Sequence, residues 1–278
     1  MNQKVIAAFA ALCIAPLVPV SAAGLPHIAS MNLCTDQLLI SLADPEQILG
    51  LSRYEGGRFK SFAIEGAEQF RVLSGGAEDI LQLRPDVVVA SLYDKRSTRE
   101  LLKEKGLHLA EFAVPRNLDE VKAQLREMGD LVGHPDRAKA EVTRLDDAIA
   151  RARKQVSQHR YKVLPLSQRG WVSGSDSLLS SLLAETGLFN AAGDLGITFG
   201  GYASLEAIVS VRPDFIVVAD ASERAEDEGH AFLLHPALER LYPLSRRIVI
   251  PERLTVCGSV MIADALDRLV SELKRVER

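Results

Sequence analysis

The amino-acid sequence predicts an α/β protein of two lobes, each a parallel sheet flanked by helices, the lobes joined by one long backbone helix. The first observation is an internal echo. Residues 78–91 read EDILQLRPDVVVAS and residues 206–219 read EAIVSVRPDFIVVA. In each, a glutamate opens a short helix with apolar residues at helical spacing, and Arg-Pro-Asp ends it because proline cannot continue a helix. The second is the run directly after each Arg-Pro-Asp. Val87 to Val89 and Phe215 to Val218 are continuously apolar, the mark of a strand buried on both faces of a parallel sheet. The third is the segment between the halves, Leu118 to His159, which carries no strand signal. After Gly133-His134-Pro135 its apolar residues fall at Ala138, Val142, Leu145, Ile149, Ala152 and Val156, steps of four and three that describe a helix buried along one stripe.

The other elements can be placed in chain order. The first half predicts strands at His27–Met31, Ile48–Leu51, Val87–Ala90 and Leu107–Phe112, with helices at Asp36–Ala43, Ala77–Leu83 and Ser97–Lys105. The second predicts strands at Lys162–Leu166, Phe215–Ala219 and Arg247–Ile250, with helices at Ser177–Thr186, Ser204–Val211 and Ser259–Val276. Alternating strands and helices imply parallel sheets with right-handed crossovers. The expected organisation is a signal peptide over 1–23, an N-terminal lobe over 24–117, a connecting helical segment over 118–159 and a C-terminal lobe over 160–278.

The signal peptide rests on Lys4, the apolar run Val5 to Val20, and the small residues Ser21, Ala22 and Ala23. Pro16 and Pro19 argue against a buried N-terminal helix. Cys13 follows Leu12, where a lipid-attachment site wants a small residue, so a soluble chain starting near Gly24 is expected in the periplasm. Cys34 and Cys257 then remain. An even count in an oxidising compartment admits a disulfide; two separate buried thiols are equally compatible with the sequence.

Composition narrows function. The chain has 278 residues, 47% apolar and 25% charged, with formal net charge −4. That balance disfavours a nucleic-acid partner, which calls for a basic excess. No Gly-x-Ser-x-Gly elbow, phosphate loop or dinucleotide fingerprint occurs, and the six histidines never take the paired spacing of a zinc site. The expectation is a protein that is not an enzyme, with no catalytic residue, metal site or cofactor.

Ligands of open parallel sheets bind beyond the carboxyl ends of the strands. Two facing lobes would therefore form a cleft from Asn32–Asp36, Arg53–Gly57, Ser91–Arg96, Val114–Asn117, Gln168–Ser175, Thr198–Tyr202, Asp220–Glu223 and Arg253–Gly258. These segments hold the only tryptophan, Trp171, and three of five tyrosines, Tyr54, Tyr93 and Tyr202. They also hold Arg53, Arg96, Arg116, Arg169 and Arg253. Rigid aromatic area with guanidinium forks suits a large, partly planar, anionic ligand.

This order of parts resembles the helical-backbone class of periplasmic substrate-binding proteins, which serve ATP-driven (ABC) importers of ferric siderophores, haem and cobalamin. The resemblance covers the chain beyond the signal peptide. It lies in HIASMNLCTDQLLISL, the two Glu…Arg-Pro-Asp units, the helix after His134-Pro135-Asp136, and SGSDSLLSSLLAETG. It implies that Glu78 and Glu206 dock, one per lobe, onto arginines of an inner-membrane permease dimer. It also implies capture of a small-molecule metal chelate by a monomer. A ferric siderophore is placed first and cobalamin second, with a two-lobed periplasmic enzyme of similar α/β build as the rival behind both; a free metal ion is disfavoured, because the first cleft segment lacks a histidine cluster.

Overall fold

The computed structural model describes residues 24–53, 67–155, 159–219 and 232–277. The predicted signal peptide lies outside them, as do Tyr54 to Gly57 and Asp220 to Glu223.

The first half builds β1 (Ile28–Ser30), α1 (Leu33–Leu42), β2 (Ile48–Gly50), α2 (Ala77–Leu83), β3 (Val87–Ser91), α3 (Arg96–Glu104) and β4 (Leu109–Phe112). The second builds β5 (Lys162–Pro165), β6 (Trp171–Ser173), α6 (Leu178–Glu185), β7 (Phe189–Asn190), β8 (Gly200–Tyr202), α7 (Leu205–Val211), β9 (Phe215–Val218), α8 (Pro236–Leu241), β10 (Arg247–Val249) and α9 (Ile262–Val276). Between them stand α4 (Leu118–Leu131) and α5 (Pro135–Arg153). The strand orders β2-β1-β3-β4 and β7-β5-β9-β10 place matched strands at matched positions, and all pairs in both sheets are parallel.

The two Arg-Pro-Asp units occupy equivalent places, and their arginines and aspartates have tasks beyond stopping a helix. Arg84 and Arg212 cap α2 and α7 in the left-handed region, at φ 49° and φ 48°. Asp86 and Asp214 then clasp the start of the neighbouring strand. The Asp86 carboxylate accepts the His27 N–H at 2.8 Å, and the Asp214 carboxylate accepts the Lys162 N–H at 2.8 Å. Each aspartate returns its own backbone N–H to the carbonyl of the same residue. The clasp fixes the amino-terminal edge of each sheet. The opposite, carboxyl edges are thereby left to the loops that face the other lobe.

Strand alternation divides the core. Val87, Val89, Phe215 and Val217 face one cluster, which runs without interruption through α1, α4, α5, α6 and α9. Val88 packs outward under α2 and α3 with Ile80 and Leu102. Ile216 and Val218 pack outward with Ile208 and Leu238. The helical layer shared by both lobes is therefore one continuous core.

The connecting segment differs in detail from one helix. Asn117 caps α4 by accepting the Glu120 N–H at 2.9 Å, and α4 then pairs with α5 across a turn in which Gly133 takes φ 76°. The long helix is α5, 19 residues and about 28 Å. Ala138, Val142, Leu145, Ile149 and Ala152 form its buried stripe, while Val156 lies outside the described residues. Among the described strands and α-helices, four have no counterpart in the sequence expectations: β6, β7, β8 and α8. Each is six residues or fewer, too short for either period to register.

Candidate functional site

The carboxyl edge of the second sheet carries a structure that has no equivalent among the described residues of the first. The segments around 171 and 200, expected as separate loops, pair as an antiparallel two-stranded ribbon, β6 with β8. Val172 turns inward and is fully buried. Trp171 and Tyr202 stand directly opposite each other in the register. Their rings meet edge to face at 5.0 Å and 75°, while 39% of Trp171 and 71% of Tyr202 remain exposed. Two glycines permit the ribbon. A Cβ at Gly174 would stand 2.1 Å from the Thr198 carbonyl oxygen, and one at Gly200 would stand 2.6 Å from Trp171 Cζ2.

On the carboxyl edge of the first sheet lies the turn after β3. Asp94 organises it: its Oδ2 accepts the Ser91 N–H at 2.7 Å and an amide hydrogen of Asn32 Nδ2 at 2.9 Å. Asn32 in turn caps α1, its Oδ1 accepting from the Cys34 and Thr35 N–H groups. Tyr93 sits at the tip of this braced turn, 82% exposed. Exposed apolar side chains gather on these same edges. Leu92 and Val114 follow β3 and β4, Phe199 precedes β8, and Val256 follows β10. Sequence reasoning missed these four, because a lone apolar residue in a loop has no period to mark it.

The arginines divide. Arg53, Arg169 and Arg253 are exposed on strand-end segments, Arg169 in the left-handed region at φ 56°. Arg96, at the start of α3, is engaged by Glu100 of its own helix. Arg116 spans the lobes to Asp176 at 3.2 Å, with Glu120 also beside it. Tyr54 lies outside the described residues.

Where the lobes meet, Cys34 at the start of α1 and Cys257 before α9 are joined in a disulfide, with Cα atoms 5.3 Å apart. Beside it, Gln124 donates to the Gly258 carbonyl at 3.3 Å, and Pro115 approaches Gly258 so closely that a Cβ there would lie 2.1 Å from Pro115 Cγ. Asp36, one turn along α1, is buried and holds Ser52, accepting both its N–H and its hydroxyl. Burial pushes the Asp36 carboxyl up to about 6, against hydrogen bonds from Ser30 and Ser52 that lower it.

Glu78 and Glu206 are exposed in the first turns of α2 and α7. Each helix runs back against the strand that it feeds, so both glutamates stand on carboxyl edges, one per lobe. The Glu206 carboxyl is held below its ordinary value by hydrogen bonds from its own backbone and Ser204. Among the described residues, no group of three or more His, Cys, Asp or Glu could hold a metal ion, and no helix is long and apolar enough to cross a membrane.

Comparison with known proteins gives a consistent picture. The family model described as "Periplasmic binding protein" matches residues 28–243. A curated relative, a cobalamin-binding protein of Halobacterium salinarum, is 25% identical over 225 residues, 77% of this chain. The chain spans 59% of that relative's length. Among solved structures, the apo form of a periplasmic heme-binding protein from Roseiflexus sp. RS-1 superposes with a TM-score of 0.76 at 23% identity, covering 92% of this chain and 100% of the other. A periplasmic heme-binding protein of Pseudomonas aeruginosa gives 0.70 at 24% identity, covering 89% and 92%. The periplasmic vitamin B12 binding protein of Vibrio cholerae gives 0.69 at 15%, covering 91% and 98%. At these identities the superpositions establish the fold.

Proposed function

Because the chain belongs to the periplasmic binding protein family, we propose that it captures a cobalamin-type corrinoid in the cleft between its lobes and hands it to an inner-membrane ABC permease. What supports this reading is the exposed aromatic pair Trp171–Tyr202 on a strand-end ribbon of one lobe, together with an exposed Tyr93 on a strand-end turn of the other. Apolar rings on both walls offer a large planar ligand rigid contact area at little entropic cost. Cobalamin is preferred over the ferric siderophore placed first on sequence grounds, for two reasons. Arg96 and Arg116 already have carboxylate partners, which leaves less cationic charge for an anionic chelate. The curated relative is also named for cobalamin. The reaction, in this reading, is capture and release with no chemistry on the ligand, and the compartment is the periplasm.

A ferric siderophore is the second reading, and the exposed guanidinium groups of Arg53, Arg169 and Arg253 favour it. Calorimetric titration of the purified protein with cyanocobalamin, haemin and a ferric trihydroxamate separates these. Saturable binding of cyanocobalamin is expected, weakened by about 1–3 kcal/mol in Trp171→Ala. Binding of the trihydroxamate or haemin alone would overturn the corrinoid reading.

A further inference from the structure

Gly200 occupies an unusual place in the ribbon. Its backbone is not in the left-handed region, so the main chain alone would accept any L residue there. Glycine in a strand weakens it and often marks a close approach. Here the approaching group is one side chain. The three heavy atoms nearest to a Cβ built on Gly200 all belong to the Trp171 indole: Cζ2 at 2.6 Å, Cη2 at 3.2 Å and Cε2 at 3.3 Å. Gly200 and Tyr202 share one face of β8, since side chains two apart point the same way. The indole therefore reaches diagonally over Gly200 while the Tyr202 ring braces its flank at 5.0 Å. Any side chain at 200 would enter the volume that the benzo ring fills.

We propose that Gly200 is a positioning residue for ligand recognition: its missing side chain is the seat that lays the Trp171 indole across the ribbon and presents its free side to the cleft. This rests on the cleft reading and adds the residue that sets the aromatic platform. A β-carbon at 200 lifts the indole away from Tyr202 and replaces a broad apolar floor with a tilted ring. The site then discriminates against flat, extended ligands while the fold is unchanged.

Gly200→Ala tests this. Trp171 is the only tryptophan, so near-ultraviolet circular dichroism and fluorescence of the free protein report its seat directly. The expected result is a changed indole spectrum with far-ultraviolet dichroism and urea midpoint preserved. Binding of cyanocobalamin or haemin, whichever the wild type takes, should weaken about tenfold. In a Trp171→Ala background the same substitution should cost no further affinity, because the residue acts only through the indole. An unchanged indole spectrum, or an equal loss of affinity in both backgrounds, overturns the proposal. A wild-type protein that binds neither macrocycle overturns the corrinoid reading instead, and the spectrum then decides the role of Gly200 by itself.

Discussion

Asp36 illustrates how one side chain on this cleft edge answers to its surroundings. Its carboxyl is buried, and burial disfavours the charge more than Ser30 and Ser52 favour it, so the folded-state pKa rises from an ordinary 3.8 to about 6. The unfolded chain sheds this proton near pH 4, whereas the folded chain keeps it until about pH 6. Between those values the folded state binds more protons, so stability falls as pH rises, and the penalty is complete above the upper one. Asn at this position preserves an acceptor for the Ser52 N–H and offers a donor to its hydroxyl. Asp36→Asn should therefore leave stability unchanged at pH 4 and raise it at pH 7 by up to about 3 kcal/mol, the worth of a two-unit shift. Urea unfolding at the two pH values measures this. Equal gains at both would mean that packing, and not ionisation, controls the site.

The helix–strand units show where sequence reading reaches and where it stops. Proline, the apolar run and the matched glutamates make α2–β3 and α7–β9 readable as one unit used twice. The left-handed arginines were not readable, because nothing in Arg84 or Arg212 announces a positive φ that glycine would adopt without strain. Nor were the aspartate clasps, whose partners His27 and Lys162 lie 59 and 52 positions away. A left-handed non-glycine residue costs about 1 kcal/mol, and glycine recovers part of it against a more flexible unfolded chain. Arg84→Gly should thus stabilise by about 0.5–1 kcal/mol. A shifted urea midpoint with an unchanged slope is the expected signature, and a loss of stability would mean that the Arg84 side chain contributes contacts that outweigh the strain. The ribbon β6–β8 evaded sequence reading for a different reason. Its strands are three residues each, one contains two glycines, and neither shows the alternation that marks a strand. Among the described residues, the ribbon has no mate in the other lobe, and it carries Trp171 and Tyr202. Repetition exposes what the lobes share, while the element that breaks it holds the aromatic platform.

At the scale of the whole molecule, the ties between the lobes include a continuous core through α4, α5, α6 and α9, the Cys34–Cys257 disulfide, and the Arg116–Asp176 pair. The disulfide spans 223 positions, a pairing that depends on tertiary structure and that a count of cysteines leaves open. Removing it with Cys34→Ser and Cys257→Ser together should destabilise by about 2–5 kcal/mol. In the oxidised protein, X-ray scattering should give nearly equal radii of gyration with and without ligand, since closing the lobes would bend α5 and break its backbone hydrogen bonds; a marked compaction would contradict the stiff connector. If the lobes keep a nearly fixed distance, the proposed release to a membrane partner has a defined geometry. Glu78 and Glu206 stand one per lobe in the first turns of equivalent helices, so a stiff body presents two negative charges at a set spacing. A permease dimer with paired basic sites could engage both together, the charges fixing register more than adding affinity. Neither glutamate lies on the ribbon or the Tyr93 turn, so ligand capture should not depend on them. Glu78→Arg with Glu206→Arg is accordingly expected to leave the dissociation constant for ligand unchanged and to abolish stimulation of the importer's ATPase in vesicles. Full stimulation by the double variant would remove the docking role and leave both residues only as favourable company for their helix N-termini.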